Sequence, residues 1–356
     1  MTEETFDWDR TIVEPIVQFD RACIDPVLGV TVAVAVAVPV ALALFTPWTA
    51  SAVMVALAAF NLFIGAGGLP SRSRARSTGL ALGLNAAGLA AGTAAGTLGG
   101  FALLAVVAIG IAALSSARLL PFGRWAGVSS AALFAIGVGL PGETVTLAAD
   151  RVGLALIGGL WAIAIGATVA WLRRPSSRPR STPSAPAVAA SPARSVALAA
   201  SVTGVAAAFA FGVGGLLGLP RDYWTILTVV VVFQTGILAA ISNSMVRIVG
   251  TLVGAILGGA LAAVVTGPVA LAVLIGGLAG GTMALRPASP SIYVALLTPF
   301  VIVLLSISYP SSWALAGGRV ADTLVGSACA LAATAVLWLA TRLDRLGGRP
   351  SSAGGS

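Results

Sequence analysis

Hydrophobic residues make up 58% of this 356-residue chain and charged residues only 9%, where a soluble protein carries roughly 25% charged residues, so a water-soluble fold is excluded. At about 20 apolar residues per membrane-crossing helix, the spans consume nearly the whole chain and leave no room for a sizeable soluble catalytic domain. The net charge of +8 comes from arginine alone and sits mostly in short loops, which is a topology signal rather than a nucleic-acid footprint.

The chain opens with an acidic segment, Glu3, Glu4, Asp7, Asp9, Glu14, Asp20 and Asp25, where a cleaved signal would carry basic residues. Residues 1–26 are therefore expected to be a cytoplasmic tail, with the first span acting as its own insertion signal. Apolar runs bounded by Pro, Gly, Arg and Ser predict helices over 27–46, 48–66, 77–96, 99–117, 124–140 and 150–172. After the Arg/Pro/Ser-rich stretch 173–193, which reads as a cytoplasmic linker, a second set is expected over 194–218, 223–241, 246–266, 268–285, 291–308 and 316–341. Residues 342–356 form the closing tail. All of the basic residues except Arg151, Arg221 and Arg319 then lie on one side. Arginine-bearing loops stay in the cytoplasm, so both termini are expected there.

The two sets match at nearly constant spacing: Arg76 with Arg247, Arg118 with Arg286, Pro141 with Pro310, Arg151 with Arg319 and Trp171 with Trp338. Pro47-Trp48 aligns with Tyr223-Trp224 after a short gap. In a chain so poor in Arg and Trp this predicts an internal duplication. Six spans per copy keep the copies in one orientation, so the expected fold is an all-α membrane protein of about twelve spans in two parallel six-helix repeats, an arrangement transporters use.

Within the third helix of the second set, Gly250, Gly254 and Gly258 recur every four residues, as do Gly79 and Gly83 and then Gly88, Gly92 and Gly96 in the first. Small residues on one face allow close helix packing in lipid. Arg319 and Asp322 share a face near the start of the last span, with Arg151 at the matching place in the first set; they form either a local ion pair or the lining of a path. Arg76 and Arg247 are expected at the cytoplasmic entries of the third helices, as snorkelling anchors or as carboxylate contacts. Asn61 and Gln234 are expected at comparable depths in the second helices. With Thr225 and Thr228 they either meet a substrate or bond between helices. Pro299 is expected to kink the eleventh span.

Tyr223-Trp224-Thr225-Ile226-Leu227-Thr228, Arg247-Ile248-Val249-Gly250-Thr251 with Gly254, and Arg319 with Asp322-Thr323 and Gly326 together resemble the FUSC family, the fusaric-acid-resistance-like proteins and aromatic acid exporters. The resemblance spans about 205–340, with the first half a worn copy. It implies an inner-membrane exporter of aromatic or other organic acids, related in fold to plant malate-type anion channels. Large cytoplasmic helical regions, common in the family, have no counterpart here.

No Lys and no His occur in the chain, which removes the phosphate-binding P-loop and histidine-based metal, triad or relay chemistry. Cys23 and Cys329 suggest neither a disulfide framework nor a metal site. No cofactor and no enzymatic activity are expected. The expected partners are an organic anion and the lipid bilayer, with homo-oligomerisation left open. A passive organic-anion channel and a non-transporting scaffold are the rival readings.

Overall fold

The computed structural model describes residues 9–46, 49–70, 74–120, 123–140, 145–173, 193–309 and 312–347, and among them every regular element is helical. A short α1 (Glu14–Val17) precedes α2 (Pro26–Leu44), α3 (Thr49–Ala66), α4 (Ala75–Ala95), α5 (Gly100–Ser115), α6 (Gly123–Gly139) and α7 (Val145–Leu172). There follow α8 (Ala193–Leu216), α9 (Tyr223–Val232), α10 (Ile237–Val264), α11 (Pro268–Leu285), α12 (Pro290–Ser306) and α13 (Ser312–Gly347). Among the described residues, six helices are long and apolar enough to cross a membrane, namely α2, α7, α8, α10, α11 and α13, and five shorter helices are also apolar. The chain is a multi-pass membrane protein. Pro47, Trp48, Pro141, Pro310 and the linker stretch 174–192 lie outside the described residues.

Ten of the helices follow the predicted spans closely; the eighth and ninth do not. The expected helix over 223–241 stops at Val232, and α10 begins at Ile237. Between them Phe233 and Gly236 adopt extended backbone. A broken helix in lipid must find substitutes for its lost backbone bonds, and here the Thr334 hydroxyl of α13 shares its proton between the Gln234 carbonyl at 3.0 Å and Ala330 O of its own helix at 2.9 Å. Gln234 is therefore a residue of the break, not of a helix. Asn61, its expected counterpart, sits in unbroken α3 and donates to Leu57 O of the same helix at 2.9 Å.

Glycine decides which helices touch. A Cβ placed on Gly250 would lie 2.7 Å from Val294 Cβ, and one on Gly254 2.7 Å from Thr298 Cβ; on Gly258 it would lie 2.8 Å from Pro299 Cα. These contacts climb α10 and α12 together, so the two helices run parallel and backbone to backbone. In the first half Gly88, Gly92 and Gly96 of α4 meet Ser130, Phe134 and Val138 of α6 in the same ascending order. Gly79 and Gly83 have nothing near them. Four-residue spacing alone could not separate the packed set from the open one, because both faces of α4 carry it.

Further close contacts cross between the halves. Gly29 of α2 meets Gly280 and Ala284 of α11, Gly276 of α11 meets Ala33 and Ala37 of α2, and Gly204 of α8 meets Ala108 and Ala112 of α5. The rings of Phe60 and Phe300 meet at a tilt, their centres 4.6 Å apart. Consequently each of the two larger apolar cores draws on helices from both halves, and the halves interlock rather than sit side by side. Pro299 stays within continuous α12, buried against Gly254 and Gly258, so its missing N–H accompanies a packing contact.

Ahead of α2, the segment from Asp9 to Asp25 lies against α10, α11 and α12. Asp20 N donates to Ala288 O and Asp25 N to Ala284 O, both at 3.0 Å, and Ser291 Oγ donates to Pro15 O. The exposed Cys23 thiol donates to Asp20 Oδ2 at 3.2 Å, and this hydrogen bond, with the adjoining negative charge, pushes the thiol above its usual range. Since the thiolate is the nucleophile, Cys23 is expected to alkylate slowly at neutral pH and faster as pH rises. Asp20→Asn should speed maleimide labelling at pH 7; an unchanged rate would show that the aspartate does not hold the thiol.

Candidate functional site

Between the halves lies a cavity of about 2540 Å³, lined at one end by Asp25, Arg74, Trp125 and Arg286 and at the other by Asp150, Arg151, Arg221 and Tyr309. Sites fitted to one small molecule run to about 300–1,000 Å³, so this volume has the size of a route. Six arginines line it, Arg74, Arg151, Arg221, Arg247, Arg286 and Arg319, against three aspartates, Asp25, Asp150 and Asp222. The walls are positive.

Aromatic rings accompany these cations. At one end the Arg286 guanidinium lies 3.9 Å from the Trp125 ring centre and 5.9 Å from that of Tyr293. At the other, Arg221 lies over Tyr309 at 4.3 Å and Trp224 at 5.6 Å, while Arg319 approaches Trp224 at 4.8 Å. A ring face holds a guanidinium without using its N–H groups, and at Arg319 the Nε and one Nη have no hydrogen-bond partner. Asp222, just before α9, is half-buried, and burial pushes its carboxyl above the ordinary range although the Tyr223 backbone N–H pulls the other way.

The deepest polar groups lie on α10 and α13. Ser244, Arg247 and Thr251 occupy one face of α10, and Arg319, Asp322 and Ser327 one face of α13, the two helices being packed together. All six side chains are buried. The Arg247 Nε, the Arg319 Nε and Nη1, both Asp322 oxygens and the hydroxyls of Ser244, Thr251 and Ser327 have no hydrogen-bond partner. Buried polar atoms are nearly always paired. A cluster of this many orphans is the mark of a site that something else completes.

Several expectations are corrected here. Arg319 and Asp322 share a face but make no ion pair. Asp322 is not confined to the helix end: it stands ten residues into α13, about 15 Å along at 1.5 Å per residue. Arg247 is not at a helix entry, because α10 starts ten residues earlier at Ile237. Arg76, by contrast, is exposed on the first turn of α4 and does not line the cavity.

Arg151, Arg247, Arg319, Asn61, Gln234, Tyr223 and Trp224 line the one cavity; Asp322 and Thr228 stand behind its wall. The Thr228 hydroxyl donates to Trp224 O at 3.1 Å, and its Cβ side faces Gly326. Half-buried Arg151 donates to Leu140 O, just past the end of α6, whereas Arg319 is buried with two of its nitrogens unpartnered. Sequence reasoning missed Ser244, Thr251 and Ser327. Their signal was available: each sits three to eight residues from an arginine on an otherwise apolar helix, which puts it on the arginine's face.

No curated protein and no solved structure matches the chain. Residues 203–333 match the family described as fusaric acid resistance protein-like, a stretch that holds Trp224, Arg247, Arg319, Asp322 and the glycine face of α10. Joined to the apolar helices, this match points to a membrane protein of transporter type. That stretch, residues 203–333, is where the chain is similar to the fusaric acid resistance protein-like family.

Proposed function

We propose that this protein exports organic, chiefly aromatic, acid anions from the cytoplasm, and that it does so without acting as an enzyme. The observation that carries this reading is the pair of buried guanidiniums, Arg247 and Arg319, with unpartnered N–H groups beside a cavity walled by aromatic rings. Guanidinium donates two hydrogen bonds at once to a carboxylate, and the rings of Tyr223, Trp224 and Tyr293 offer faces to an aromatic body. The family's description, with its fusaric acid, points to the same chemical class. Outward flux down the anion's own concentration gradient needs no nucleotide, and the chain has no Lys for a phosphate-binding P-loop.

The route is built, in this reading, from twelve spans in two parallel six-helix units with both termini cytoplasmic. Recurring contacts support it. Gly158 of α7 meets Val55 O and Ala58 of α3, and Gly326 of α13 meets Thr225 O and Thr228 of α9; the α4–α6 and α10–α12 glycine series correspond likewise. The register of these contacts keeps Arg151 opposite Arg319, each seven residues before its glycine, but pairs Asp322 with Leu154. It also makes Asn85, not Arg76, the counterpart of Arg247, each three residues before the first packed glycine. Asn85 accepts a hydrogen bond from Ser129 at 2.8 Å, so the first half closes with a neutral pair the place where the second half keeps a cation. Anion binding is thereby concentrated in the second unit, with Arg151 marking the exit.

A passive anion channel is the second reading, favoured by a cavity whose lining reaches both ends of the helices. Purified protein in liposomes loaded with a naphthalenesulfonate, which stays ionised and does not leak as a neutral acid, tests both. Efflux above that of empty liposomes is expected, and its absence for this and for aromatic carboxylates sinks the anion reading. Movement against an imposed electrochemical gradient distinguishes carrier from channel.

A further inference from the structure

Asp322 is the oddest group in the molecule. It is wholly buried ten residues into a membrane helix, both of its oxygens lack a partner, and yet Arg319 stands three residues away on the same face with two unpartnered nitrogens of its own. A purely structural carboxylate in this position would pair, because an unpaired ion in the membrane interior is among the costliest of arrangements. The charged and titratable groups around it are few. Arg319 comes from its own helix, Arg221, Asp222 and Tyr223 from the start of α9, and Arg247 from α10. From the remaining neighbours, α12 brings Tyr293, and α8 brings only Arg194 at its exposed far end.

We propose that Asp322 carries one proton together with each exported anion, competing with the substrate for the same two guanidiniums. This rests on the anion reading given above. In the loaded state Asp322 is the neutral acid, and the substrate carboxylate takes the N–H groups of Arg247 and Arg319. On release, the carboxyl O–H breaks heterolytically, the proton leaves with the anion, and the Asp322 carboxylate turns through a side-chain rotation onto Arg319, one turn before it. Two guanidiniums with a neutral acid and a bound anion carry a net charge of +1, as do two guanidiniums with an ionised Asp322 and no anion. Both states bury the same charge. The first half holds Leu154 where the second holds Asp322, and Asn85 where it holds Arg247, so this exchange occurs once per molecule rather than twice.

The consequence is electroneutral efflux. In liposomes loaded with naphthalenesulfonate, efflux through the parent protein is expected to bring out about one proton per anion, followed with a pH dye, and to be indifferent to a potassium–valinomycin potential. Asp322→Asn should move the anion without protons and respond to the potential. Because that variant can fail to fold, a second measurement uses the parent alone: its affinity for naphthalenesulfonate should fall with rising pH, by about tenfold per unit in the limit of one linked proton. Parent efflux without protons, or affinity independent of pH from 5 to 9, overturns the role of Asp322 and leaves anion transport standing. Absence of both binding and flux for sulfonate and carboxylate probes instead overturns the anion reading itself.

Discussion

Replacing either Arg319 or Arg247 by Gln is expected to lower organic-anion flux about ten- to hundredfold at matched protein abundance. Each guanidinium is buried and keeps unpartnered N–H groups, so what Gln removes is a charge-assisted contact to the substrate rather than a bond that holds the fold. Such contacts contribute about 1.5–3 kcal/mol, and about 1.4 kcal/mol is a factor of ten. Arg151→Gln should cost less, since that side chain already donates to Leu140 O and is half-buried; part of its effect will be a looser end to α6. Flux of the three single variants in liposomes decides this. Equal losses at Arg151 and Arg319 would restore a symmetric exit, and unchanged flux in both Arg247→Gln and Arg319→Gln would remove the buried pair from the path.

The second large effect is on folding. Gly254→Leu should strongly reduce both abundance and thermal stability, because even its Cβ would stand 2.7 Å from Thr298 Cβ, 2.8 Å from Ala295 O and 2.9 Å from Pro299 Cδ. None of these is the far end of a flexible side chain, so α10 and α12 have to move apart. Overpacking of this kind costs about 1–3 kcal/mol. Gly83→Leu is the matched control: Gly83 belongs to the same four-residue pattern but has nothing within 4 Å of its notional Cβ, and it should leave the unfolding midpoint in detergent unchanged. A Gly254→Leu variant as stable as the parent would show that the close approach of the two helices is not required.

Membrane character, the helical class and the positions of ten of the helices were legible from composition and run length, because lipid leaves the backbone almost no alternative to helix. The family signal was legible too, in Tyr223-Trp224, the Arg247 to Gly254 run and Arg319 with Asp322. Hydrophobicity could not reveal the break at 233–236, since Val229 to Phe233 is as apolar as a span interior; the break is held by Thr334, a hundred residues away. Periodicity likewise named three glycine series without telling packed from open faces. Which arginine has a counterpart in the other half depends on the register between α4 and α6 and between α10 and α12, a property of paired backbones. Only the tertiary structure decides that Arg76 faces outward while Arg247 is buried, and that Arg319 and Asp322 stand one turn apart without pairing. A helix sequence specifies which residues share a face, but the partner that covers that face, and hence what is left unpartnered there, is set by packing between distant segments.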